Sequence, residues 1–124
     1  MATAAPVMNE IAGDGSVIRA VWTLGSGANN NVGAAIPFTQ WADRSVQMNG
    51  TFNVATVVWQ GSNDDGVTWT TLTNPLGQAI SHNAAAIDAV VEVCQLARPS
   101  SSGGGVAQSV TIAAVLRRAN PMRK

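Results

Sequence analysis

Between Ser16 and Leu24 the chain alternates with a period of two. Val17, Arg19, Val21 and Thr23 take one face, and Ile18, Ala20, Trp22 and Leu24 take the other, more apolar face. Such alternation is incompatible with an amphipathic helix and specifies a half-buried strand. The same texture, rich in Val, Thr, Ile and Trp, recurs along the chain between clusters of Gly, Asn, Asp and Pro. It predicts strands at Arg44–Met48 and Thr51–Gln60, with Asn49-Gly50 between them as a two-residue hairpin turn. Residues 61–66 form the next turn, Val67–Thr73 a returning strand, and Thr73–Gly77 a further turn with Pro75 and Gly77 suited to its geometry. Gln78–His82 reads as a short strand and Asn83–Asp88 as a loop or one helical turn. Ala89–Ala97 and Val106–Arg117 form the last pair, joined by a glycine- and serine-rich loop, and residues 25–33 form another polar, glycine-rich loop. Seven or eight short strands with turns every 8 to 12 residues predict an all-β fold. The expected form is an antiparallel β-sandwich, jelly-roll-like or immunoglobulin-like.

At 124 residues, one domain is expected, large enough to bury roughly two-thirds of its unfolded surface. Charged residues are only 11% of the chain, against about 25% in typical soluble domains, and seven basic residues balance seven acidic ones. A formal net charge of zero argues against direct nucleic-acid binding, which needs a basic footprint. The single cysteine, Cys94, excludes an internal disulfide and a multi-cysteine metal site, and the single histidine, His82, excludes paired-histidine zinc sites. The opening residues carry no basic-then-apolar export pattern, and no window reaches the roughly 18 apolar residues of a membrane span. The expectation is a protein made in a cytoplasm that stays soluble or joins an assembly.

The predicted last pair is apolar on both faces. Val90, Cys94 and Leu96 oppose Ala89, Val91 and Val93, while Val110, Ile112, Ala114 and Leu116 oppose Ala113 and Val115. A strand greasy on both sides must be covered on both sides, and a sandwich covers only one. The outer face therefore needs a partner subunit or a covering segment, and a homo-oligomer is expected.

No residue set stands out as catalytic. His82 lacks a second histidine or a nearby cysteine, and its nearest downstream carboxylate is Asp88. Asp64-Asp65 lie in a Ser-Asn-Asp-Asp-Gly turn without the terminal glutamate of a calcium loop, so a hairpin turn is the expected role. Cys94 lies in an apolar run, unlike the electropositive setting of a reactive thiol. Ser100–Ser102 precede three glycines and match no nucleophile elbow. Trp59 and Trp69 flank the 61–66 turn and can serve either as sugar-stacking platforms or as core and cross-strand partners. Arg117, Arg118, Arg123 and Lys124 concentrate four of the seven basic residues in the last eight, as a partner contact or a solvated terminus. No metal or cofactor is expected.

Three stretches carry a family resemblance: Gln40 to Phe52, Ala55 to Gly77 with its Gly-Ser-Asn-Asp-Asp-Gly-x-x-Trp hairpin, and Ala97-Arg-Pro-Ser leading to Val110-Thr-Ile-Ala-Ala-Val-Leu-Arg-Arg118. Over roughly residues 17 to 118 the chain resembles small virion structural proteins of tailed bacteriophages, members of which serve as capsid decoration, or cement, proteins. The resemblance implies a non-enzymatic β-sandwich on the outside of the capsid, bound to the major capsid protein, often as a trimer. It brings no functional residue with it. The competing expectation is a carbohydrate-binding or structural module of a tail, baseplate or head fibre, with Trp59 and Trp69 stacking on sugar. Residues 1–15 are expected to form an extended arm that orders on a neighbouring subunit, and residues 119–124 a short basic tail. Partner contact is expected at Val115, Arg117, Arg118, Arg123 and Lys124, with apolar Val115 outweighing the bases.

Overall fold

A computed structural model describes residues 3–11, 13, 15–25, 31–103 and 107–118. Ten strands run in chain order: β1 (Val7–Glu10), β2 (Val17–Leu24), β3 (Ile36–Pro37), β4 (Trp41–Thr51), β5 (Thr56–Ser62), β6 (Thr70–Thr71), β7 (Ser81–His82), β8 (Ala86–Ala89), β9 (Leu96–Ser102) and β10 (Ser109–Arg118). The first sheet has the order β1-β2-β10-β4-β8, the second β3-β9-β5-β6, with β7 also on β5. The named strands pair antiparallel throughout. None of the described residues is helical, and the fold is all-β and sandwich-like. The count exceeds the expected seven or eight because β1, β3, β6, β7 and β8 are only two to four residues long.

The alternation read from the sequence decides which side faces in. Ala20, Trp22 and Leu24 of β2 and Val110, Ile112, Ala114 and Leu116 of β10 are fully buried, as their spacing predicts. They meet Val57 and Trp59 of β5, Ala97 of β9, and Phe38 and Ile80 from the connections. Trp22 and Trp59 meet edge-on, ring centroids 5.5 Å apart, and Phe38 tilts against Trp59 at 5.9 Å. Aromatic pairs prefer this arrangement because the positive ring edge meets the negative face.

Several expected connections differ. Asn49-Gly50 is not a hairpin turn: β4 continues through it, with Asn49 opposite Thr111 and Gly50 opposite Val110. The reversal falls at Asn53-Val54, both at positive φ (47° and 62°), closed by the Ala55 amide donating to the Phe52 carbonyl at 2.8 Å. Turning there lets β4 and β5 enter different sheets and buries Phe52 and Ala55 at the end of the core. Val67–Thr73 does not form a full strand. The Asp64 carboxylate takes the Thr68 amide, and only Thr70–Thr71 pairs with β5. Residues 86–89, expected within a loop or helical turn, form β8 because the edge of β4 offers a ladder that outweighs alanine's weak strand preference.

Ala89–Ala97 and Val106–Arg117 are not a pair: β9 joins the second sheet and β10 the first. Ser100–Ser102, read as loop, complete β9. The expected sidedness still holds along residues 90–94, with Val90 and Cys94 buried and Val91 and Val93 exposed. The N-terminal segment was expected to order on a neighbouring subunit, yet residues 7–10 pair with the chain's own β2, and Ala4 bridges to Gly33.

Candidate interaction surface

The outward side chains of the first sheet follow from its register. One row across the sheet is Val7, Val21, Ala113, Gln47 and Ile87. The next is Asn9, Arg19, Val115, Ser45 and Ala89. Thr23, Thr111 and Asn49 lie on one flank, and Val17, Arg117 and Asp43 on the other. Ile87 is 64% exposed, Val7 61% and Val115 36%. Ionisable groups on this face are confined to the Arg19 and Arg117 side. There the Arg117 Nε donates to Asp43 Oδ2 at 2.7 Å, in a pair exposed on both partners.

The predicted contact residues divide. Val115 and Arg117 share this outer face. Arg118 does not, because the register shifts between Arg117 and Arg118 and its guanidinium lies over the Trp41 ring at 5.3 Å. There it helps line a groove of about 230 Å³ with Met8, Ile18, Ile36 and Pro37. Arg123 and Lys124 lie outside the described residues. Val7 and Ile87 are not evident from the sequence, whose pattern reads as an arm at the first and a loop or helical turn at the second. The Ala86-Ile87-Asp88-Ala89 alternation was the signal for the second.

Part of the second sheet's outer side, around Gln60 and Arg98, is covered by its own chain. Ser62 Oγ donates to Asp64 Oδ1 at 2.7 Å and accepts the Gly66 amide at 3.0 Å, fixing the 62–66 turn. These bonds, the Thr68 amide foremost, hold the exposed Asp64 carboxyl down at about 2. Trp69 donates from Nε1 to the Gly66 carbonyl, and the Arg98 guanidinium lies 4.0 Å over its ring while Arg98 Nε donates to Gln60. Trp59, 0% exposed, does not suit the sugar-stacking expectation, and at Trp69 one face of the ring is already taken by Arg98.

Two polar clusters sit on the connections. His82 Nε2 lies 2.5 Å from Asp88 Oδ2, and Asn74 Nδ2 donates to Asp88 Oδ1 at 3.1 Å. Burial pushes the Asp88 carboxyl up, but His82 and Asn74 more than offset this and hold it below its ordinary value. Because β7 belongs to the second sheet and β8 to the first, this pair ties the sheets together. The other cluster surrounds an open cleft of about 400 Å³ lined by Asp64, Thr70, Leu72, Glu92 and Cys94, among others. Burial raises the Cys94 thiol, which donates to the Leu96 carbonyl, so it stays a neutral packing group. A Cβ on Gly61 would come within 2.6 Å of Cys94 Sγ, so glycine alone fits the cleft floor. Thr73 binds both Glu92 oxygens through its amide and hydroxyl. Among the described residues no three His, Cys, Asp or Glu side chains converge as metal ligands.

Nothing in the sequence pattern singles out Arg44. It is 8% exposed and, among the described residues, has no carboxylate hydrogen-bond partner. Its guanidinium donates instead to the carbonyls of Trp41, Val90 and Val91, at 2.6, 3.2 and 3.1 Å, and lies over Phe38. This clamp holds the irregular 90–94 segment against β4. Comparison of the chain with protein-family models gives no match, and comparison with curated proteins gives none either.

Proposed function

We propose that the protein is a non-enzymatic structural component of a tailed-phage virion, a decoration protein on the capsid surface. The observation that carries this reading is the first sheet's outer face. Its row Val7, Val21, Ala113, Gln47 and Ile87 holds no ionisable group, and no segment among the described residues covers it. Strands about 4.8 Å apart and residues rising about 3.3 Å give this face roughly 20 Å by 20 Å, or about 400 Å². That is about half of a standard interface per partner. A single contact of this size is weak, and a shell repeating it by symmetry makes it collectively strong. The resemblance over residues 17–118 supplies the virion context, and the major capsid protein is the partner it implies. Self-association, as a trimer by the same resemblance, belongs to this reading.

The test uses particles of a phage that encodes this chain. Mass spectrometry and gel densitometry should find it in the purified head at high copy number. A few copies confined to the tail would favour the tail-module reading, and absence from particles would end the virion reading. Sedimentation showing only monomer, free and on the particle, would remove the trimer.

A further inference from the structure

We propose that Asn49-Gly50 is a self-modifying site, at which the folded protein converts Asn49 to aspartate or isoaspartate with water as the only co-reactant. Asn-Gly occurs once in the chain. Glycine after asparagine leaves the next backbone nitrogen unshielded by a Cβ, the condition this chemistry needs. The fold adds three features to that local chemistry.

First, the Gly50 amide lies beyond the end of its β8 ladder among the described residues. The Val90 amide donates to the Arg44 carbonyl, so the even-numbered residues of β4 direct their backbone groups towards β8. β8 begins at Ala86, opposite Met48, and Gly50 lies two residues beyond it. Second, that amide turns instead to the preceding side chain, with Gly50 N 2.8 Å from Asn49 Oδ1. The nitrogen is therefore held beside the side-chain carbonyl carbon, and both residues are exposed to water. Third, glycine is fixed there: φ is +119°, and a Cβ would lie 2.4 Å from the Ser109 carbonyl oxygen.

Other described asparagines lack this combination. Asn74 precedes Pro75, which has no N–H, and its Oδ1 already accepts the Leu76 and Gln78 amides. Asn63 Oδ1 accepts the Gln95 amide. Asn53 precedes β-branched Val54.

In the reaction the Gly50 nitrogen loses its proton to solvent base and attacks Asn49 Cγ. A new N–Cγ bond forms, the Cγ–Nδ2 bond breaks, and the amide leaves as ammonia. Water then opens the five-membered imide. Cleavage at Cγ gives aspartate. Cleavage at the backbone carbonyl gives isoaspartate, with one extra carbon in the main chain. Either product adds one negative charge beside Thr23 and Thr111 on the outer face of the first sheet. The isoaspartate form also breaks the β4–β10 register at this point.

Purified full-length protein is held in mildly alkaline and mildly acidic buffer, then resolved by isoelectric focusing and mapped by peptide fragmentation. One band, more acidic by one charge, should grow, and grow faster in the alkaline sample. It should carry its change at Asn49, take up one oxygen from heavy-oxygen water, and be absent from Asn49→Gln. Should that variant fail to fold, fragmentation of the wild-type band still decides the site. Conversion in urea but not in the folded protein, or an acidic band mapping to another asparagine, would overturn the proposal.

Discussion

The two outer faces of this sandwich are treated differently by the same chain. The second sheet folds its 62–69 segment back over itself, so that Trp69 covers Arg98 and is hydrogen-bonded in place. The first sheet, built on the longest strands, leaves Val7, Ile87 and Val115 open. Apolar area left in water forgoes about 25 cal/mol per Å² that burial would recover. One face has recovered part of it within the monomer, around Trp69 and Arg98, and the other is in a position to recover it on a partner. Substitutions on the covered face should therefore cost folding stability, and those on the open face should cost assembly.

The largest effect should fall on neither face but on the core they share. Trp59→Ala removes a fully buried ring between Trp22 and Phe38 and should cost about 3–5 kcal/mol in chemical denaturation. A loss under about 1 kcal/mol would mean that the sheets do not depend on a common core. On the covered face, Trp69→Ala should cost about 1–2 kcal/mol, from the lost cation–π contact and packing. Val115→Ala should stay within about 0.5 kcal/mol in the free protein. Equal losses at Trp69 and Val115 would erase the contrast between the faces.

A smaller effect is expected where the sheets are tied. Asp88 is held below its ordinary value of 3.8, so its contribution is present above that value and disappears as pH falls through the folded carboxyl's lower one. Asp88→Asn should thus destabilise by about 1 kcal/mol at neutral pH. The gap from wild type should narrow below pH 3.8, and denaturation series on both proteins check it. A gap that is constant with pH would show that the charge is irrelevant there. A comparably small effect belongs to Arg117→Ala. Its pair with Asp43 is exposed, and such pairs contribute about 0.2–1 kcal/mol at low salt and less at high salt.

The strands were legible wherever one face is buried, because period two then fixes the side of every residue. The inward sets of β2 and β10 were readable for that reason. Pairing was not. Asn49-Gly50 has the composition of a hairpin turn, yet the reversal sits at Asn53-Val54, because burying Phe52 outweighs the local preference of the dipeptide. Nor does the sequence show that residues 90–95 leave the ladder, since it takes Arg44, 46 residues away from Val90, to hold them. Of the candidate face, Val115 was readable from alternation. Ile87 was not, because its strand depends on the open edge of β4.

The central claim is that the first sheet's outer face carries attachment. It is tested most directly by the occupancy on phage heads of Val115→Asp, set against Ser100→Asp on the outer side of the second sheet. Each is first checked for a wild-type fold. The account predicts that the aspartate at position 115 strips the protein from heads even at low salt, and that the one at position 100 leaves occupancy near wild type. Full occupancy of Val115→Asp, with loss of Ser100→Asp or release of the wild type by salt alone, would contradict it.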